Sequence, residues 1–470
     1  MEEKMYLIGM NASNDGQIIK EKYIKDSRRQ MEDLSINILF GRLMCDMGQW
    51  DQSQHFFERL LNNSNGYNED LAQVEYSLGE VLQWKGEWNE ARKYYDRAHE
   101  RIINVKPTPM TDLANILFNI GEILCLEGKE QGKYDESLDL HRRALALQEK
   151  YYPSYYANIA YTFNRIGNVL IEQKKYDETM KFHKCALEMQ EKYYPNGHVD
   201  IAITLINIGR TFCQQQNFDK AIEYHQKALE IQEKYYSSGS VFIADTINGI
   251  GHILQRKYDE ALDFYQRSLA IREKFHPFAY AGIATVLNNI GLAAYGQRKH
   301  DEALNFYQRA LTIREKFDAH NHPNIVDSLI NIANVLRDQE KFNEAIEFQE
   351  RALMIREHNY PSDYVNITYN LSNIADMQRW RDEHELSLIY EQNCFLMRLK
   401  ALPPDHEEIG HSLSNIGQIY ENLQKPILAL DYYQRALAIY TICLPSSHYN
   451  LRIMQLNIER LSEELEIELD

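Results

Sequence analysis

Carboxamides return along this chain at equivalent points of a recurring phrase: Asn119, Asn207, Asn289, Asn331, Asn373 and Asn415. Where the phrase carries Arg165 or Gly249 instead, an asparagine stands one place earlier, as Asn164 and Asn248. A carboxamide both donates and accepts, so a row of them suits the backbone of an extended peptide whatever that peptide's side chains. Such a row equally suits bonding to itself and to neighbouring helices, which leaves a purely structural use open. Guanidinium groups recur close by, at Arg165, Arg210, Arg256, Arg337 and Arg379. Their forked donors fit carboxylates, pointing to an acidic or carboxylate-bearing segment, with pairing to local Glu and Asp as the alternative.

Other chemistry finds little support. His141, His183 and His225 share a register in which other copies of the phrase hold Tyr95, Tyr265, Tyr307 and Tyr433, so they read as packing residues and not as metal ligands. His406 and His411 in HEEIGH are five apart and miss the helical face that HExxH needs. Gly249 and Gly251 lack the third glycine of a dinucleotide loop. No phosphate loop or nucleophile elbow occurs, so neither catalysis, a metal nor a cofactor is expected.

Composition narrows the partner class. With 51 Lys and Arg against 69 Asp and Glu, the formal charge is −18, which argues against a general nucleic-acid or anionic-membrane binder. Basic residues in phrases such as QEKYYP and IREKF read as solvated faces with i,i+4 pairs. The six cysteines show no CxxC, and no stretch is apolar enough to span a membrane, so a cytoplasmic protein is expected.

The elements that must position these side chains follow from the repeat itself. A Gly or Ala marker recurs at Gly41, Gly79, Gly121, Gly167, Gly209, Gly251, Gly291, Ala333, Ala375 and Gly417, mostly 42 residues apart. Twelve residues beyond most markers stands a small side chain, such as Ala221 or Ala303, and seven further on another, such as Ala228 or Ala310. Sites seven apart share a helix face and let a neighbour approach closely. Each copy thus predicts two helices, A around the marker and B beginning near an aromatic nine places on, as at Trp88, Tyr176 and Phe218. B should end ahead of Pro107, Pro153, Pro195, Pro277, Pro361, Pro403 and Pro445. An insertion around Lys129 to Gly132 and a two-residue deletion before Tyr258 predict local irregularities.

The order Leu/Ile-Gly, aromatic, Ala, Ala, Pro resembles the tetratricopeptide repeat, lengthened to about 42 residues, and phrases such as ALAIREKFHP, NNIG and KYDEAL resemble its kinesin-light-chain type. The resemblance implies an all-α solenoid of about ten helix-turn-helix repeats in a right-handed superhelix. It spans residues 31–445, after a non-repeat leader over 1–30 and before a capping helix over 446–470. It also implies that the A helices line a concave groove into which the asparagine row, the arginines and the aromatics Trp84, Tyr295 and Trp380 project. The function so implied is a scaffold or adaptor for protein or peptide ligands. Long arrays of this kind also follow effector domains, ADP-ribosyltransferases among them, which makes a substrate-recruiting arm the competing expectation and an oligomerising scaffold a third.

Overall fold

A computed structural model describes residues 36–63, 68–127, 131–254, 257–317 and 323–465. Residues 1–30, read above as a leader, lie outside the described residues, as does Arg256. The chain divides into two compact units, Met1–Gln255 and Arg256–Asp470.

In the first unit, A and B helices alternate as α1 (Ile36–Asp46), α2 (Trp50–Asn63), α3 (Asn68–Trp84), α4 (Trp88–Ile102), α5 (Met110–Glu127) and α6 (Gln131–Tyr151). They continue as α7 (Tyr156–Glu172), α8 (Tyr176–Tyr193), α9 (Val199–Gln214), α10 (Phe218–Tyr235) and α11 (Val241–Ile253). The second unit opens on a B helix, α12 (Tyr258–Phe275). It continues through the pairs α13 (Tyr280–Gly296) and α14 (His300–Phe317), α15 (Pro323–Asp338) and α16 (Phe342–Asn359), α17 (Tyr364–Trp380) and α18 (His384–Ala401), and α19 (Glu407–Asn422) and α20 (Pro426–Cys443). It closes on α21 (Tyr449–Glu464). No strand occurs among the described residues.

The B helices start at the aromatic position in nearly every pair, from Trp50 to Pro426. The exception is α6, which begins at Gln131 and runs for 21 residues, so the described part of the insertion lengthens that helix at its N-terminal end. The deletion acts the other way, leaving α11 only 13 residues long. Between A and B the chain turns through a left-handed residue, at Gly48 and Gly86 in the first pairs but at Lys174, Gln216, Arg298, Glu340, Asp382 and Gln424 later. The turn after α7 closes with Lys174 N donating to Ile171 O and Lys175 N to Leu170 O, which satisfies carbonyls the helix end would otherwise orphan.

The markers explain the close crossing of A on B. A Cβ added at Gly291 would stand 2.7 Å from the Tyr307 ring, at Gly167 2.4 Å from His183, and at Gly79 2.6 Å from Tyr95. The two alanine markers are followed in that register, sixteen places on, by linear side chains, Gln349 after Ala333 and Glu391 after Ala375. The small site twelve residues on, sixteen across the insertion, often adds a bond, with the hydroxyls of Ser53, Ser137 and Ser387 donating to the carbonyls of Gly41, Gly121 and Ala375 at 2.7–2.8 Å.

One expectation fails here. The arginines of the IREKF-like phrases are not solvated: Arg272, Arg314, Arg356 and Arg398 are 5–8 % exposed. Arg314 donates from Nη1 to Asn324 O (2.7 Å) and Ser328 Oγ (2.5 Å) at the start of the next A helix. Arg398 does the same with Glu408 O and Ser412 Oγ, and Arg356 with Asn366 O and Asn370 Oδ1. In the first unit the column holds glutamine, and Gln148 and Gln190 accept from Thr162 (2.8 Å) and Thr204 (2.6 Å). The arginine lies on the stripe of small residues, four places beyond Ala310 in α14, so its fork is enclosed by the next repeat and donates to a carbonyl and a side-chain oxygen in that repeat's first turns.

Candidate functional site

Successive A helices touch one another, α1 with α3, α7 with α9 and α13 with α15, so they occupy the tighter side of the stack. Along each, the positions six and two before the marker and one and five after it fall on one face, spaced as i, i+4, i+7 and i+11. In the second unit this face carries Thr285, Asp327, Tyr369 and His411 in one row and Asn289, Asn331, Asn373 and Asn415 in the next. Thr285, Asp327 and Tyr369 are exposed, and the four asparagines are half-buried.

The asparagines differ in what they touch. Asn119 donates from Nδ2 to Tyr76 Oη of the preceding A helix (2.9 Å), and Asn331 to Asn288 Oδ1 (3.1 Å), so part of the row bridges repeats. Asn164 is buried at 3 % exposure, donates to Thr204 Oγ1 (2.7 Å) and receives His183 Nδ1 (3.0 Å). Asn207 is also buried, at 7 %. The Nδ2 of Asn373 is buried without a hydrogen-bond partner among the described residues. Asn248 and Asn289 are half-buried and engaged, and Asn415 is half-buried.

Of the arginines, Arg165 pairs with Glu122 (3.2 Å) and lies over the Tyr161 ring. Arg337 binds Asp338 (3.1 Å) and Asn334 (3.2 Å). Arg379 bridges Asp376 (2.7 Å) and Gln418 Oε1 (2.6 Å). Burial raises the Asp376 carboxyl above its ordinary value, against the pull of Arg379 and Arg337. Arg210 is exposed and has no ion pair among the described residues.

The aromatics are unequally open. Trp84 is 70 % exposed and Trp380, tilted against Phe342, is 50 % exposed. The Tyr295 hydroxyl donates to Asp338 Oδ2 (2.5 Å). Exposed Tyr161, Ile203, Leu292 and Tyr369 also lie on this face and went unrecognised in the sequence, although their spacing from the marker was the signal that held them.

The three histidines of the shared register are buried against glycine markers. Desolvation, with a smaller push from Arg210, lowers the His183 pKa to about 4. Because Asn164 Nδ2 donates to Thr204, its Oδ1 accepts from His183, which fixes the proton on Nδ1. Enclosed imidazoles of this kind fill space as the tyrosines of other repeats do.

The tetratricopeptide repeat family matches residues 112–192, 200–274, 282–358 and 364–442, more than half of the chain. No curated protein sequence matches it. Among solved structures, BtubC (BKLC) from P. vanneervenii is similar at 20 % identity and a TM-score of 0.42, over 48 % of this chain and 89 % of that one. The kinesin light chain-like protein of Podosopora anserina with nearly identical TPR-like repeats is similar at 15 % identity and a TM-score of 0.39, over 42 % and 95 %. The apo form of RapI is similar at 19 % identity and a TM-score of 0.45, over 61 % and 97 %. The chain belongs to the tetratricopeptide repeat family and has the build of a protein-interaction scaffold.

Proposed function

We propose that the chain holds an extended peptide segment against the open face of its A helices. The observation that carries this reading is the half-exposed row of Asn289, Asn331, Asn373 and Asn415, flanked by exposed Tyr369 and Trp380. Carboxamides one repeat apart meet successive stretches of a ligand's backbone, while the two rings take up apolar side chains. The bond from Asn331 to Asn288 of the preceding A helix holds that amide in place and leaves its oxygen for a visitor.

A preference for acid in the ligand finds its support at Arg210, whose guanidinium is open to solvent. Arg337 and Arg379 already hold Asp338 and Asp376, so an acidic ligand in the second unit would compete with carboxylates of the protein itself.

Peptides selected from a random display library against the full chain provide the probe. Replacing Asn331, Asn373 and Asn415 together by Ala should weaken the selected peptides at least about 10-fold by calorimetry, with the thermal melt little changed. Undiminished affinity in that variant would remove the reading.

A further inference from the structure

The solvent-facing side of the B helices in the second unit carries an ionic ladder. On α14 five successive surface positions read Glu302, Asn305, Arg309, Thr312 and Glu315. The central arginine reaches back to the last glutamate of the preceding B helix: Arg309 to Glu273 of α12 (3.3 Å), then Arg351 of α16 to Glu315 (2.5 Å). At α18 the ladder stops. The same five positions there are Leu386, Ile389, Asn393, Leu396 and Leu399, and Arg435 of the following B helix turns to Asp431 in its own helix (3.6 Å).

The four apolar side chains are 42, 53, 54 and 43 % exposed, in chain order. Leu386, Ile389, Asn393, Leu396 and Lys400 alternate steps of three and four, which is the seam spacing of paired helices, with one amide in its middle. Charge is divided along the helix. Exposed Asp382, Glu383 and Glu385 outnumber exposed Arg381 at its N-terminal end, and exposed Lys400 stands at its C-terminal end.

A partner for this face must offer an apolar seam, an amide near the centre, base where α18 has acid and acid where it has base. A second α18 laid antiparallel offers all of these, and its dipole runs in the favourable sense. We propose that α18 is a self-association surface through which two copies of the chain pair across a two-fold axis near the middle of the helix. The surface lies on the B-helix side, so pairing leaves the asparagine row of the A helices open.

Sedimentation velocity of the full chain between about 1 and about 100 µM tests this. The expected result is a concentration-dependent dimer. Ile389→Glu with Leu396→Glu should raise its dissociation constant at least about 100-fold, with an unchanged helix content by circular dichroism because both side chains face solvent in the single chain. Glu385→Lys should weaken the dimer about 10-fold, and adding Lys400→Glu should recover it, since the reversed ends again face their opposites. A monomer throughout the range overturns the proposal, as does a dimer indifferent to the double glutamate variant. Failure of the second charge reversal to recover association overturns the antiparallel arrangement.

Discussion

Glycine in a helix interior costs about 0.5–1 kcal/mol relative to alanine, so its return at the marker needs a compensating contact. The ring of Tyr307 over Gly291 supplies one. Gly291→Ala should therefore destabilise the second unit by about 1–3 kcal/mol despite the better helix propensity of alanine. In a Tyr307→Gln background, which copies the pairing of Ala333 with Gln349, the same change should cost close to nothing. Urea unfolding of the unsubstituted protein and the three variants measures the coupling, and a coupling near zero would show that the ring does not require the glycine.

A second residue-scale consequence concerns acid. Below pH 6.5 an unfolded His183 binds a proton that the folded side chain refuses until about pH 4. Stability should fall as pH drops through that interval, by on the order of 3 kcal/mol from this group at the limit. His225 is shifted in the same direction by burial and adds to the slope. Replacing both by Tyr, the residue of this register in other repeats, should flatten urea midpoints measured from pH 7 to pH 5. An unchanged slope would assign the acid sensitivity elsewhere.

At the scale of elements, buried guanidinium staples run from α14, α16 and α18 of the second unit to the following A helix, while α20 carries Tyr440 in that column. Arg314, Arg356 and Arg398 each donate to a backbone carbonyl and a side-chain oxygen at once, so removing one takes two charge-assisted bonds from a dry place. Arg314→Met should cost about 2–4 kcal/mol in denaturant unfolding. Arg314→Lys should recover less than half, because a single ammonium cannot reproduce the planar fork. Full recovery by lysine would mean that charge alone is required there.

Of these elements, much was legible in the chain. B-helix starts at Trp88, Tyr176 and Phe218 followed from the position of an aromatic, and B-helix ends from Pro153, Pro195 and Pro361. The staple was misread because an arginine flanked by glutamate and lysine resembles a solvated face. Its column was nonetheless marked: Gln148, Gln190, Gln232, Arg272, Arg314, Arg356 and Arg398 all fall four places after the second small residue. A face that is otherwise alanine and tyrosine is a buried face, whatever charge it carries.

Over the whole molecule each helix pair buries its stripe only against its neighbours, so an end needs a cover. In the second unit Leu451, Met454, Ile458 and Leu461 of α21 close over Leu430, Tyr433 and Tyr440. Removing residues 446–470 should speed hydrogen exchange most in α19 and α20, and progressively less back through α17 and α15. Uniform loss of protection throughout the second unit would indicate a single cooperative block in place of a nearest-neighbour stack.

Repetition let the sequence alone determine the architecture, because one unit copied ten times exposes its own helix lengths, small crossings and turns, and no single unit can bury its stripe unaided. It did not determine the state of each side chain on the open face. Asn164 and Asn331 differ by burial and partner, and Arg210 stands open while Arg337 and Arg379 are held by aspartates. Register fixes the face on which a residue projects, but the distance between adjoining helices and the charges they bring to it are set only when the repeats pack.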